Sequence, residues 1–274
     1  MASRNSSIDL HPVEASVLHA RRERVFLVLA GIFIGAMAML NIMGLTRFVQ
    51  LGPLMVAVGV LPYPLTFLCT DLISELYGKR RARFVVWVGL LVNILIIATM
   101  WLAMQLPAVS PDEQPPWQVL SLDTPVGLPD GTSLEGDVEL FSILYATTMG
   151  AVLASMVAYM AAQFCDVYLF HFWKKVTGGR HLWLRNNGST VVSQFVDSLA
   201  VIGITFGAAF LAGEIAAGAM LALIFSNYAF KLGCALIDTG PAYIAVHYLS
   251  RYLRLDPASE HRADEEELTL GGPG

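Results

Sequence analysis

Apolar residues occur in long runs separated by short polar stretches. A helix that crosses a bilayer needs about 20 mostly apolar residues. Six runs reach that length: residues 25–45, 52–76, 84–106, 140–165, 190–211 and 216–247. The second is interrupted by Pro62 and Pro64, and the fourth can extend to Tyr168. The pattern predicts an all-α polytopic membrane protein, a six-transmembrane-helix bundle.

The polar stretches carry the topology, because Lys and Arg collect on the cytoplasmic side of membrane proteins. Arg21, Arg22 and Arg24 precede the first run, and Lys79, Arg80, Arg81 and Arg83 lie between the second and third. Lys174, Lys175, Arg180 and Arg185 lie between the fourth and fifth, and Arg251 and Arg254 follow the sixth. The alternate links carry only Arg47, the acidic stretch 107–139 without Lys or Arg, and Glu214. Every basic cluster falls on one side if six spans cross the membrane with both termini inside. The expected layout is a disordered cytoplasmic tail over 1–20 and a membrane transport domain over 21–255, whose residues 107–139 form an extracytoplasmic acidic loop. A disordered acidic tail follows over 256–274. The expected location is the cell inner (cytoplasmic) membrane.

Composition agrees. Only 14% of residues are charged and 55% are hydrophobic, with a mean hydropathy of +0.60. A soluble domain carries roughly 25% charged residues, so lipid must solvate the surplus apolar surface. Cys69, Cys165 and Cys234 all lie in apolar stretches, form no CxxC pair and read as buried core residues. The first apolar run is too long for a cleavable signal core.

Ionisable side chains inside a membrane need a partner or a water-filled cavity. Here they recur at helical spacing: Asp71 and Glu75; Gln163 and Asp166; Ser193, Gln194, Asp197 and Ser198; Asn227 and Lys231, then Asp238. Asn41 and Asn93 add neutral polar groups. Residues three or four apart share a helix face, so four helices present polar stripes that can converge on one cavity. Glu75 can instead bridge to Lys79, and Lys231 can pair with one of the acids. Pro62-Tyr63-Pro64 is expected to kink or open the second span, and broken helices often line transport sites. Gly31 and Gly35, Ala154, Ala158 and Ala162, and Gly203 and Gly207 form small-residue stripes that permit close helix contact or a docking face.

Three segments resemble the queuosine precursor transporter family, also called the vitamin uptake transporter family. They are LPYPLTFLCTDLISELYGKRRAR at 61–83, AYMAAQFCDVYLFHFW at 158–173 and STVVSQFVDSLAVIGITF at 189–206, followed by Tyr228 to Lys231 and Pro241 to Tyr243. The resemblance covers residues 25–251 and leaves out the acidic insert and the tails. It implies a six-helix fold similar to the substrate-binding subunits of energy-coupling-factor transporters. It also implies import of 7-deazaguanine precursors of queuosine such as preQ0, preQ1 or queuine. The family's polar positions map onto Asp71, Gln163, Asp166, Gln194, Asp197 and Lys231.

A 7-deazaguanine presents adjacent N–H donors beside a carbonyl. A carboxylate, Asp197 or Asp71, can accept both donors. Gln194, Gln163, Asn41 or Asn93 can address the carbonyl or ring edge. Tyr63, Phe67, Phe195, Tyr228 or Phe230 can stack on its face. The second acid, with Asp166, Lys231 and Glu75, would form a charge network. The expected partners are the small-molecule base and the lipid bilayer, with self-association and a separate energising module left open. No cofactor, metal or nucleic-acid partner is expected. One alternative is a substrate-capture subunit for another vitamin or purine. The other is an intramembrane enzyme using Asp71 and Asp197, which the absence of HExxH and GxSxG disfavours.

Overall fold

The computed structural model describes residues 12–110, 113–128, 131–176 and 182–255. Helix α1 (Pro12–Ile42) leads into the hairpin β1 (Phe48–Leu51) and β2 (Leu54–Ala57) and a 3-10 turn at Val58–Val60. Helix α2 (Tyr63–Gln105) follows, then the hairpin β3 (Val119–Gly127) and β4 (Ser133–Glu139). Helices α3 (Leu140–Val176), α4 (Leu182–Leu211) and α5 (Ala217–Leu253) complete the chain.

Helix α2 is two arms. Gly78 sits inside it at φ 83° and ψ 162°, a conformation essentially reserved for glycine. The chain doubles back there. Tyr77, before the break, donates its hydroxyl to the Arg22 carbonyl at 2.9 Å. Arg81, after it, pairs with Glu23 at 2.9 Å. Twelve residues further on, Asn93 is level with Asn41 near the opposite end of α1. The bundle thus makes six passes, although among the described residues only five helices are long and apolar enough to span by themselves. The short pass is residues 63–77, whose helix rises only about 22 Å against a hydrocarbon core of about 30 Å.

Several sequence expectations change. The run 52–76 is not one helix: residues 52–62 are strand and turn, because Val- and Met-rich apolar sequence suits a strand as well as a helix over so short a stretch. Pro62 and Pro64 do not kink a span. They stand at the N-terminus of α2, where a missing N–H costs no helical bond. The basic cluster 79–83 is not a loop but the first turn after Gly78. Helix α1 begins at Pro12, inside the stretch expected to be a disordered tail; residues 1–11 and 256–274 lie outside the described part. The acidic segment is largely the β3–β4 hairpin, whose Leu128 is buried.

The N-terminal half of α1 and the C-terminal end of α5 meet at one end of the bundle. Arg22 donates from Nε to the Leu253 carbonyl at 3.0 Å and from Nη2 to that of Arg254 at 2.8 Å. Arg21 Nη1 reaches the Tyr252 carbonyl at 3.3 Å. These carbonyls end α5 without helical partners, and cations suit the negative pole of a helix. Both hairpins lie at the other end. Phe48 packs on Phe206 with ring centroids 6.0 Å apart, and the Met55 N–H donates to Ser226 Oγ at 3.3 Å. One core cluster, including Leu29, Phe33, Ile73 and Val85, joins α1 to both arms of α2. Trp87, Leu91 and Leu95 point outward, as lipid-facing residues should.

The small-residue stripes divide. Ala154 and Ala158 are completely buried, and α3 packs chiefly on α4. Gly31, Gly35, Gly203 and Gly207 have open space where a Cβ would stand, so they mediate no close helix contact among the described residues. The closest backbone approach is one the sequence did not mark. A Cβ on Gly59 would lie 2.5 Å from Gly44 Cα and 2.6 Å from the Leu40 carbonyl oxygen. Gly59→Ala should therefore lower the melting temperature in detergent, with a cost of about 1–3 kcal/mol for overpacking against backbone. Gly35→Ala should leave it unchanged or raise it, and equal melting of the two variants would refute the Gly44–Gly59 contact.

Candidate functional site

A cavity with two lobes opens between the helices. The larger has a volume of about 360 Å³ and lies between α1, both arms of α2, α3 and α4. The smaller, about 80 Å³, lies towards the hairpin end and is walled also by β1, β2 and α5. Leu40, Tyr63, Ser155 and Asp197 line both.

Asp197 sits where the lobes meet and pairs with Lys231, Nζ to Oδ2. Their side chains are only 12% and 3% exposed. Lys231 Nζ also lies 4.6 Å from the centroid of the Tyr63 ring, a cation–π distance. One contact point therefore ties α2, α4 and α5. Lys231 faces inward because it shares a stripe with Asn227, one turn earlier, which lines the smaller lobe.

Amides supply the neutral polar groups. Asn41 Nδ2 donates to Asn93 Oδ1 at 2.8 Å and to the Met37 carbonyl at 3.1 Å. Asn41 Oδ1, Gln194 Oε1 and Asn227 Nδ2 are buried with no hydrogen-bond partner. All three residues line the cavity. Buried polar atoms are normally satisfied, and these three lack a protein partner beside the cavity. The hydroxyls of Thr66 and Thr70 also line the larger lobe, but they bond back to their own helix carbonyls at 2.7–3.0 Å. Tyr63 and Phe67 meet edge to face at 5.1 Å on the lobe wall.

Of the expected site residues, Asn41, Tyr63, Phe67, Asn93, Gln194, Asp197 and Lys231 gather here. Asp71 does not. The cavity face of the short α2 arm runs Tyr63, Thr66, Phe67, Thr70; one residue on is a turn of about 100° around the helix, which takes Asp71 to an exposed face. Glu75 shares that stripe and lines neither lobe. Asp238 falls on the Lys231 stripe but seven residues nearer the basic end, below the cavity. Tyr228 is likewise rotated away from Asn227 and packs edge-on against Phe195 at 5.5 Å. Phe195 and Phe230 line neither lobe. The side chains of Gln163 and Asp166 lie outside the described residues.

Sequence reasoning missed Ser155 and Tyr159 on α3 and Phe48 and Met55 on the hairpin, all of which line the cavity. Ser155 and Tyr159 are four apart, which was a usable signal. They carry no charge whose burial cost would single them out. Among the described residues, no group of His, Cys, Asp and Glu is placed to hold a metal ion.

A buried ion pair stripped of one partner leaves an uncompensated charge, which costs about 3–5 kcal/mol. Lys231→Met should therefore destabilise the protein sharply in thermal unfolding. Asp197→Asn combined with Lys231→Met should recover most of the loss. A double variant as unstable as the sum of the singles would show that the pair is not coupled.

Comparison with known proteins then bears on identity. No solved structure matches the chain. A curated protein of Bacillus subtilis (strain 168) named "Probable queuosine precursor transporter" is 29% identical over 200 residues, covering 73% of this chain and 75% of that protein. The family described as "Putative vitamin uptake transporter" matches residues 57–245, which hold the short α2 pass, the Gly78 reversal and the Asp197–Lys231 pair on the cavity wall. With its six-pass helical bundle, the chain is a multi-pass membrane protein belonging to that vitamin uptake transporter family.

Proposed function

We propose that the chain imports 7-deazaguanine precursors of queuosine across the cell inner membrane. The observation that carries this reading is the cavity itself: a hollow inside a membrane bundle, bounded by aromatic rings and ringed by unpartnered amide atoms. A flat heterocycle with mixed donors and acceptors suits that wall. The name of the Bacillus subtilis relative points to the same substrate class.

In this reading the base lies in the larger lobe against Tyr63 and Phe67. Gln194 Oε1 accepts from its N–H edge, and Asp197, engaged through Oδ2 by Lys231, offers its other oxygen to the neighbouring N–H. The hairpin end faces outside, so the solute enters past β1 and β2. The basic end, where Arg21, Arg22, Arg81 and Arg254 lie, faces the cytoplasm in this reading, as the positive-inside rule requires. The Asp197–Lys231 pair then serves two ends: it orients the carboxylate for the base, and its opening and closing accompanies exchange between outward and inward states.

Binding tests the substrate class. The purified protein should be stabilised in thermal shift by 7-deazaguanines and not by unrelated vitamins. Gln194→Leu should weaken that binding about tenfold, the loss of about 1.4 kcal/mol expected for one hydrogen bond, at an unchanged melting temperature without ligand. Equal stabilisation by unrelated vitamins, or full affinity in Gln194→Leu, would remove the assignment. Orientation is tested separately. In a cysteine-free background, Ser133→Cys in the β3–β4 hairpin should react with a membrane-impermeant maleimide in intact cells. Labelling only after permeabilisation would invert the topology.

A further inference from the structure

On the side of α1, α2 and α5, what separates the cavity from the basic end is apolar. Phe33 lines the larger lobe and belongs to the core cluster with Cys69, Leu72 and Ile73 of the short α2 arm. Ala245, Val246 and Leu249 of α5 pack against the same cluster. Tyr77, packed on it as well, reaches the Arg22 carbonyl at the basic end. A passage to the basic end on this side parts the seam between the short α2 arm and α5.

Two acids stand at that seam. Tyr63 and Lys231 are at one level, and both helices run from there towards the basic end. Asp71, eight residues on, and Asp238, seven residues on, therefore lie about 12 Å and about 10 Å below that level. Asp238 is only 7% exposed, and its Oδ2 is buried with no hydrogen-bond partner. Its charge reaches Asp71, Cys69 and Cys234. Asp71 is exposed at a depth where the surface meets lipid. Among the described residues no cation pairs with either acid. Glu75, one turn below Asp71, adds negative charge. Lys231 of α5 and Asp197 of α4 hold each other. On α1, Arg21 and Arg22 hold the carbonyls that end α5, and Glu23 holds Arg81.

Two carboxylates within reach of each other's charge, unpaired and away from water, do not both stay ionised. One proton ends the repulsion and makes one carboxyl a hydrogen-bond donor. Resting on the import reading above, we infer that Asp71 and Asp238 form a proton-binding site outside the solute cavity, whose proton holds the cytoplasmic seam closed. The site takes its proton from water as an O–H bond forms on one carboxyl. When the seam parts, that bond breaks and the proton returns to cytoplasmic water. Two negative charges then keep α2 and α5 apart. Pro241, three residues beyond Asp238, leaves the Ile237 carbonyl without its helical donor, so α5 yields at this depth.

The test uses the full-length protein in nanodiscs. Infrared spectra at neutral pH should show a protonated carboxyl band that the double variant Asp71→Asn/Asp238→Asn lacks. The seam is read by alkylation of Cys69 and Cys234 with a water-soluble maleimide, followed by mass spectrometry. The double variant supplies the thiols' own pH dependence. Relative to it, labelling of the unaltered protein should climb up to about tenfold per pH unit, the slope of one proton. The double variant should still bind 7-deazaguanine with unchanged affinity. Asp238→Asn alone serves if the double variant fails to fold, and its labelling should show the same loss of slope. Absence of the carboxyl band in the unaltered protein, its persistence in the double variant, or equal labelling slopes overturns the proton site and leaves the import reading standing. Band and slope intact without 7-deazaguanine binding removes the import reading alone and leaves a proton site in a carrier of another solute.

Discussion

Two opposite charges buried side by side in a membrane bundle organise much of this molecule. Lys231 is almost wholly buried and Asp197 reaches the cavity with only part of its carboxylate, so each relies on the other. Satisfying that need brings α4 and α5 together at one level of the bundle. Tyr63 adds the short arm of α2 by offering its ring to the same ammonium. The cavity lobes meet at this point, so the contact that holds three helices in register also faces any solute that enters.

The second constraint is that the chain crosses once without a full-length helix. Backbone groups inside a bilayer must be satisfied internally, and irregular backbone is tolerated there only when protein or a cavity surrounds it. The β1–β2 hairpin and the 3-10 turn meet that condition. They pair with each other, seat Met55 on Ser226 and press Gly59 onto the backbone of α1. The cost of a short helix is offset by the wall it provides. Strand residues and the first turn of α2 line the hollow that a continuous helix would fill. Gly78 completes the arrangement at the other end by turning the chain within a single residue.

The basic end is knit differently. Arg21 and Arg22 of α1 occupy the carbonyls that α5 leaves open, and Arg81 reaches Glu23. Arginines that mark the topology in the sequence therefore also tie the first helix to the end of the last one described. Orientation and closure of the bundle use the same guanidinium groups.

Six apolar runs, the basic clusters in alternate links and several of the polar residues that line the cavity, among them Asn41, Asn93, Gln194, Asp197 and Lys231, were legible in the linear sequence. Each follows from a local cost: an apolar run must leave water, and a buried charge must find company. Helical spacing even placed Asn227 with Lys231 and Gln194 near Asp197. Which acid meets Lys231 was not legible, because Asp71, Asp197 and Asp238 carry the same chemistry in similarly apolar sequence. A rotation of about 100° between adjacent helix positions separates Thr70 in the cavity wall from Asp71 outside it. The strand character of the second apolar run was hidden too, since an unbroken apolar stretch suits either backbone. Sequence determined what had to be buried and paired; only tertiary packing decided the partners, because helix rotation and depth are set by contacts between segments far apart in the chain.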